Sequence, residues 1–263
     1  MKTEPGPAAC ATDAMSDEQM SDKQISSLYP YCGIVYSFIV HPSSVHRSSS
    51  LHTMNKQKID QIFARLSAHN PHPKTELRFT NDYTLLVAIV LSAQATDVGV
   101  NKATGALFAK VDTPQKMLKL GEDGLKRYIK TIGLFNAKAS NIMKLSGKLV
   151  EEFGGKVPHT REELQSLPGV GRKTANVWLN CALGQATIAV DTHVFRVANR
   201  LGLCKTTTPD ATEFALEKAI PDKWKQHAHH WLILHGRYVC IARKPKCPEC
   251  ILRDLCEFKE KTK

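Results

Sequence analysis

The chain reads as an all-α protein. Three observations carry that reading: apolar residues recur at helical spacing through most of the sequence beyond residue 54, glycines close some of these runs, and strand-like alternation with hairpin turns is scarce. Lys56, Ile59, Ile62, Phe63 and Leu66 open the series with an amphipathic spacing. Tyr83 to Ala93 is almost continuously apolar and too long for an ordinary strand, which predicts a buried helix. Residues 122–129, 137–153 and 161–167 carry helix formers in periodic order, and Gly154-Gly155 ends the second of these. Residues 1–53 lack such periodicity, are rich in Ser, Pro and His, and read as a largely unstructured extension.

A chain of 263 residues with 42% hydrophobic content can bury a substantial core and hold one or two domains. Its formal charge is +11 and its pI about 9.3. The charge is uneven: residues 1–53 hold three basic against five acidic side chains, so the remainder carries +13. That excess favours a polyanionic partner, nucleic acid ahead of an anionic membrane. No apolar run approaches membrane-spanning length; the patch Cys32 to Val40 is too short and lacks the flanks of a secretory signal. The chain therefore reads as cytosolic, of bacterial type, where disulfides are rare.

Four cysteines close the chain in the pattern C-x6-C-x2-C-x5-C: Cys240, Cys247, Cys250 and Cys256, with Pro245 and Pro248 bending the intervening loops. Four thiolates this close in sequence can converge on one site, and sulfur ligation suits zinc as well as a 4Fe-4S cluster. Arg243, Lys244 and Lys246 place three positive charges on the same loop, in reach of phosphates if ligation fixes it. Cys10, Cys32, Cys181 and Cys204 have no ligand spacing and read as small apolar residues, while His227, His229 and His230 read as core or surface histidines.

The segment LPGVGRKTA, residues 167–175, lies between two helical patterns. Its paired glycines permit a tight turn and expose backbone amides at the positive end of the next helix, which can hold a DNA phosphate without reading a base. This is the form of a helix-hairpin-helix. Lys173 follows just inside the second helix, where the dipole disfavours an ammonium and so favours a nucleophilic amine; binding a phosphate is the alternative role. Asp191 comes 18 residues later, in VDTH. An amine beside a carboxylate suits Schiff-base chemistry at a sugar carbon, and Asp191 also fits as N-cap of the helix that begins near Thr192.

LPGVGRKTANV, VDTHVFRV, LSAQATD, TIGLFNAKA and HHWLILHGRYVC, together with the cysteine tail, resemble the endonuclease III family of DNA glycosylases with an associated lyase activity. The resemblance runs from Met54 nearly to the end. It implies a 4Fe-4S cluster on the four cysteines. It also implies two helical domains flanking a DNA-binding cleft: a six-helix domain over 75–185 ending in the hairpin, and a cluster domain built from 54–74 and 186–263. Lys173 and Asp191 would be the catalytic pair across that cleft. Gln94 would fill the hole left by an extruded base, Leu134 would wedge the opposite strand, and Gly169, Val170, Gly171, Arg172, Thr174 and His193 would contact DNA. Double-stranded DNA with damaged pyrimidines or abasic sites is the implied partner, and a monomer the implied state. Three readings compete, of which one, a metal-dependent nuclease cutting intact DNA, would need clustered carboxylates that the sequence does not show. A non-catalytic phosphate clamp would not need Lys173 and Asp191, and an adenine glycosylase of the same superfamily would typically lack the lysine and carry a further C-terminal domain.

The change of character at Met54 predicts that translation starts there and that residues 1–53 are an upstream extension. The intact mass of the protein made from its own gene should then correspond to a chain beginning at Met54; a full-length mass would reject this.

Overall fold

The computed structural model describes residues 54–263. The expected unstructured extension over residues 1–53, with Cys10 and Cys32, lies outside the described residues. Within them the protein is helical throughout: α1 Lys56–His69, α2 Asp82–Ser92, α3 Asp97–Phe108, α4 Pro114–Leu120, α5 Glu122–Ile129, α6 Phe135–Phe153, α7 Arg161–Gln165, α8 Arg172–Leu183, α9 Thr192–Leu201, α10 Pro209–Ala219 and α11 Asp222–Tyr238, followed by a short 3₁₀ turn at Cys247–Glu249. No strand occurs among the described residues.

Local chemistry explains where the helices begin and end. Asn81 caps α2 through a reciprocal box with Thr84. Thr96, Thr113, Thr160 and Thr208 each accept an N–H from the first turn of α3, α4, α7 and α10. Gly154 and Gly184 end α6 and α8 in the left-handed region. Gly121 has φ 75° and separates α4 from α5. The segment from Asp82 to Leu183 holds α2 to α8.

Two cores form. Side chains of α2 to α8 build the first, from Leu77 to Leu179. The second joins Met54, Ile59, Ile62, Phe63 and Leu66 of the first helical segment to side chains between Ile188 and Leu252. α2 runs through the first core with nine consecutive buried residues, Tyr83 to Leu91, which accounts for its continuous apolar sequence. Trp178 of α8 packs in the same core with no exposed surface and donates its indole N–H to the Asp82 carbonyl at 3.0 Å.

The chain crosses from the first core to the second between Gly184 and Val190. Buried Asn180 controls that crossing: its amide nitrogen donates to the carbonyls of Gln185 (2.9 Å), Thr187 (3.1 Å) and Gln226 (3.0 Å). The Thr187 hydroxyl returns a bond to the Asn176 carbonyl at 2.6 Å. A second tie holds the start of α8. Glu213 of α10, almost fully buried, accepts from Arg172 at 3.0 and 2.8 Å and from the Asn176 amide at 3.0 Å.

Truncating Trp178 to Ala removes a fully buried ring and the hydrogen bond that joins α8 to α2. The expected cost is about 3–5 kcal/mol of unfolding free energy, read by denaturant titration of the intact protein.

Candidate active site and cluster centre

Lys173 stands in the first turn of α8 and its side chain is exposed. Gly171 is the N-cap and supplies no side chain, so the leading amides of α8 are available to an outside acceptor. Gly169 makes the turn possible: its φ is 81°, and an added Cβ would lie 3.0–3.3 Å from the Asn141 side chain. Gly169 and Gly171 face outward. Val170 does not; it is buried, and its N–H donates to the Leu167 carbonyl, so it anchors the turn from within.

Asp191 is the N-cap of α9. One carboxylate oxygen accepts from the His193 and Val194 amides at 2.9 and 2.8 Å, which fixes the side chain at the mouth of the helix. The half-buried carboxylate keeps lone pairs for other partners.

Lys173 and Asp191 line one cavity of about 530 Å³ with walls from both cores. Gln94, Thr174, His193 and His229 share it. At its edge Arg237 of α11 donates to Asp97 of α3 at 2.6 Å and also to Glu76, which accepts from the Tyr238 hydroxyl as well. Arg172 is not directed into this cavity: its guanidinium is held by Glu213 and lies 5.6 Å from the Phe214 ring. Sequence reasoning missed the Glu76–Arg237–Asp97 group, because its members are scattered singly along the chain.

Two residues beside the cleft have unusual backbones. Gln94, at φ 54°, and Leu134, at φ 59°, are the two non-glycine residues with positive φ among the described residues. Such conformations cost on the order of 1–3 kcal/mol and persist where the surroundings enforce them. Leu134 is also 61% exposed, an unusual position for a large apolar side chain that could have been buried.

The four C-terminal cysteines line a second cavity together with His235, Arg253 and Phe258. Four thiols lining one cavity fit a 4Fe-4S cluster, which takes one thiolate at each iron. The sulfurs also have donors: Arg200 lies 3.6 Å from Cys240 Sγ, and the Phe258 amide lies 3.5 Å from Cys256 Sγ. Arg65 braces the loop from α1 by two bonds to Asp254 and one to the Ile251 carbonyl. Arg243, Lys244 and Lys246 project outward from it.

The comparisons agree with this geometry. Residues 87–222 match the HhH-GPD superfamily of base excision DNA repair proteins, and residues 240–256 match the iron-sulfur binding domain of endonuclease III. Endonuclease III of Rickettsia conorii is 58% identical over 78% of this chain and 98% of its own length. That of Escherichia coli is 57% identical over 79% of this chain and 99% of its own. A solved structure of an endonuclease III–DNA covalent intermediate superimposes with a TM-score of 0.73 at 44% identity, covering 78% of this chain and 97% of that one.

The histidines behind the cleft generate a pH dependence. Burial pushes the pKa of His229 from 6.5 down to about 4 and that of His230 down to about 3. Both are neutral in the folded protein, whereas the unfolded chain takes up protons below about pH 6.5. Their contribution is therefore complete above the unfolded value and is lost as pH falls toward the folded values. Denaturant titrations at pH 7 and pH 5 should differ by on the order of 2 kcal/mol for each histidine, with the acidic sample less stable.

Proposed function

We infer, from the premise that this chain belongs to the endonuclease III family and is a DNA glycosylase with AP lyase activity carrying a 4Fe-4S cluster, that Lys173 is its nucleophile and oxidised pyrimidines are its substrates. The observation that carries this reading is the shared cavity: an amine on an uncapped helix N-terminus and a carboxylate on a second helix N-terminus line one opening. The endonuclease III–DNA covalent intermediate among its structural relatives supports a nucleophile that bonds to DNA.

In this mechanism the damaged nucleotide leaves the stack at a cost of a few kcal/mol, smaller for a poorly stacked lesion. The Lys173 amine attacks C1′ of the deoxyribose, the C1′–base bond breaks, and the base departs with a proton. Opening of the C1′–O4′ bond leaves a protonated imine and places a proton on O4′. The imine draws electrons from C2′, a base removes the C2′ proton, and the C3′–O bond breaks with the 3′ phosphate as leaving group. Asp191 stabilises the positive charge that develops at the sugar and assists the proton transfers. Gln94 fills the vacated position and Leu134 wedges the opposite strand.

The amides at Gly169 and Gly171, with Thr174 and His193, hold the phosphates near the lesion, while Val170 and Arg172 support them from behind. When bound, the cluster supplies four metal–thiolate links that fix the loop presenting Arg243, Lys244 and Lys246 to the DNA backbone. The protein acts as a cytosolic monomer on duplex DNA, at oxidised pyrimidines and at abasic sites. No described helix is long and apolar enough to cross a membrane.

Incubation with a duplex containing one thymine glycol, followed by borohydride, should yield a covalent protein–DNA adduct that Lys173→Gln abolishes. Asp191→Asn keeps a good N-cap for α9 and so preserves the fold. Its excision rate should nevertheless fall on the order of 10²- to 10⁴-fold. No adduct with thymine glycol or an abasic control would refute the imine mechanism.

A further inference from the structure

Lys138, in the second turn of α6, takes a cationic side chain into the first core. It is 5% exposed, and its ammonium donates to the Leu91 carbonyl at 3.0 Å. Burial pushes its pKa below the ordinary lysine value. The partner is a neutral carbonyl, which compensates a buried charge less fully than a carboxylate would. Methionine would fill a similar space without the desolvation cost. The location of the bond offers a reason for the cation.

Leu91 belongs to the last turn of α2, where terminal carbonyls lack intrahelical donors and the helix dipole favours a positive charge. Gln94, with its left-handed backbone, follows three residues later. On the other side, the backbone N–H of Lys138 donates to the Leu134 carbonyl at 3.0 Å, closing the first turn of α6 behind the second left-handed residue. One residue thus engages both segments, through its side chain on one and its backbone on the other. The segments also adjoin directly, since a Cβ on Gly133 would lie 3.9 Å from the Gln94 carbonyl oxygen.

We propose that Lys138 is a positioning residue that locks the Gln94 and Leu134 segments into one rigid unit, so that both enter the duplex at a set separation. This rests on the reading that Gln94 and Leu134 enter the helix. Loss of the ammonium lets the two segments move apart while the imine chemistry at Lys173 stays intact.

The test uses the cluster-loaded protein and a duplex carrying a tetrahydrofuran abasic analogue opposite 2-aminopurine, whose fluorescence rises on unstacking. Wild type, Leu134→Ala and Lys138→Met are compared, with borohydride trapping on a true abasic site as a measure of the Lys173 chemistry. Lys138→Met should keep the visible cluster absorption, the thermal midpoint and the trapped yield at saturating DNA. It should lose the fluorescence gain as fully as Leu134→Ala does, and weaken DNA binding on the order of tenfold, as expected for misplaced contacts. A wild-type fluorescence gain in Lys138→Met, with the gain lost in Leu134→Ala, overturns the proposal and leaves the wedge reading standing. A wild-type gain in Leu134→Ala refutes the wedge reading and this inference with it. Should Lys138→Met not fold, hydrogen exchange of the wild type decides: the Ala93 and Ala95 amides should exchange together with the first turn of α6, and faster, independent exchange overturns the proposal.

Discussion

The cleft depends on how the chain leaves one core and enters the other. Lys173 is carried by α8 in the first core and Asp191 opens α9 in the second, so the connection between those helices governs their relation. Asn180 holds that connection with one buried amide group shared among three carbonyls, two in the crossing segment and one on α11. Buried carbonyls of an irregular segment are costly without donors, and a side-chain amide meets that need without introducing a charge. Thr187 and Glu213 add ties from the crossing segment and from α10 back to α8. Lys173 and the Asp191 carboxylate can therefore lie on different cores and still share one cavity.

The same economy of helix ends recurs around the cleft. Asp191 is occupied structurally, as a cap, and remains half-buried at the cavity wall. The start of α8 is treated in the opposite way: glycine at the cap leaves its amides for a ligand. Beyond α2 and before α6, left-handed residues turn the backbone sharply and bring Gln94 and Leu134 to the surface. Strain at those two positions is supported by the packed helices on either side, as expected where exposed contacts must be held in place. The Glu76–Arg237–Asp97 group joins α3 to α11 along the cavity edge and gives a further link between the cores.

Much of this was legible in the sequence. Helical periodicity and glycine punctuation located most helices to within a few residues, because both reflect local backbone preferences. The Pro-Gly-Val-Gly turn with Lys173, the N-cap role of Asp191 and the ligand spacing of the four cysteines are likewise short-range patterns. Periodicity gave α5 at residues 122–129 but no reading of the seven-residue α4, which is bounded by the Thr113 cap and the Gly121 backbone. It also gave no reason to separate Val170 from its glycine neighbours, although its burial and its N–H bond to Leu167 turn it away from solvent.

The sequence by itself determined a helical fold from residue 54 onward, an exposed hairpin turn and a four-thiol tail, since each is specified by residues close together along the chain. Tertiary structure alone decided which distant groups meet: Asn180 with the crossing segment, Arg172 with Glu213, Arg237 with Glu76 and Asp97, and the Lys138 ammonium with the Leu91 carbonyl. The physical reason is that buried polar groups must find partners wherever packing brings them, and those partners are set by helix arrangement rather than by sequence spacing.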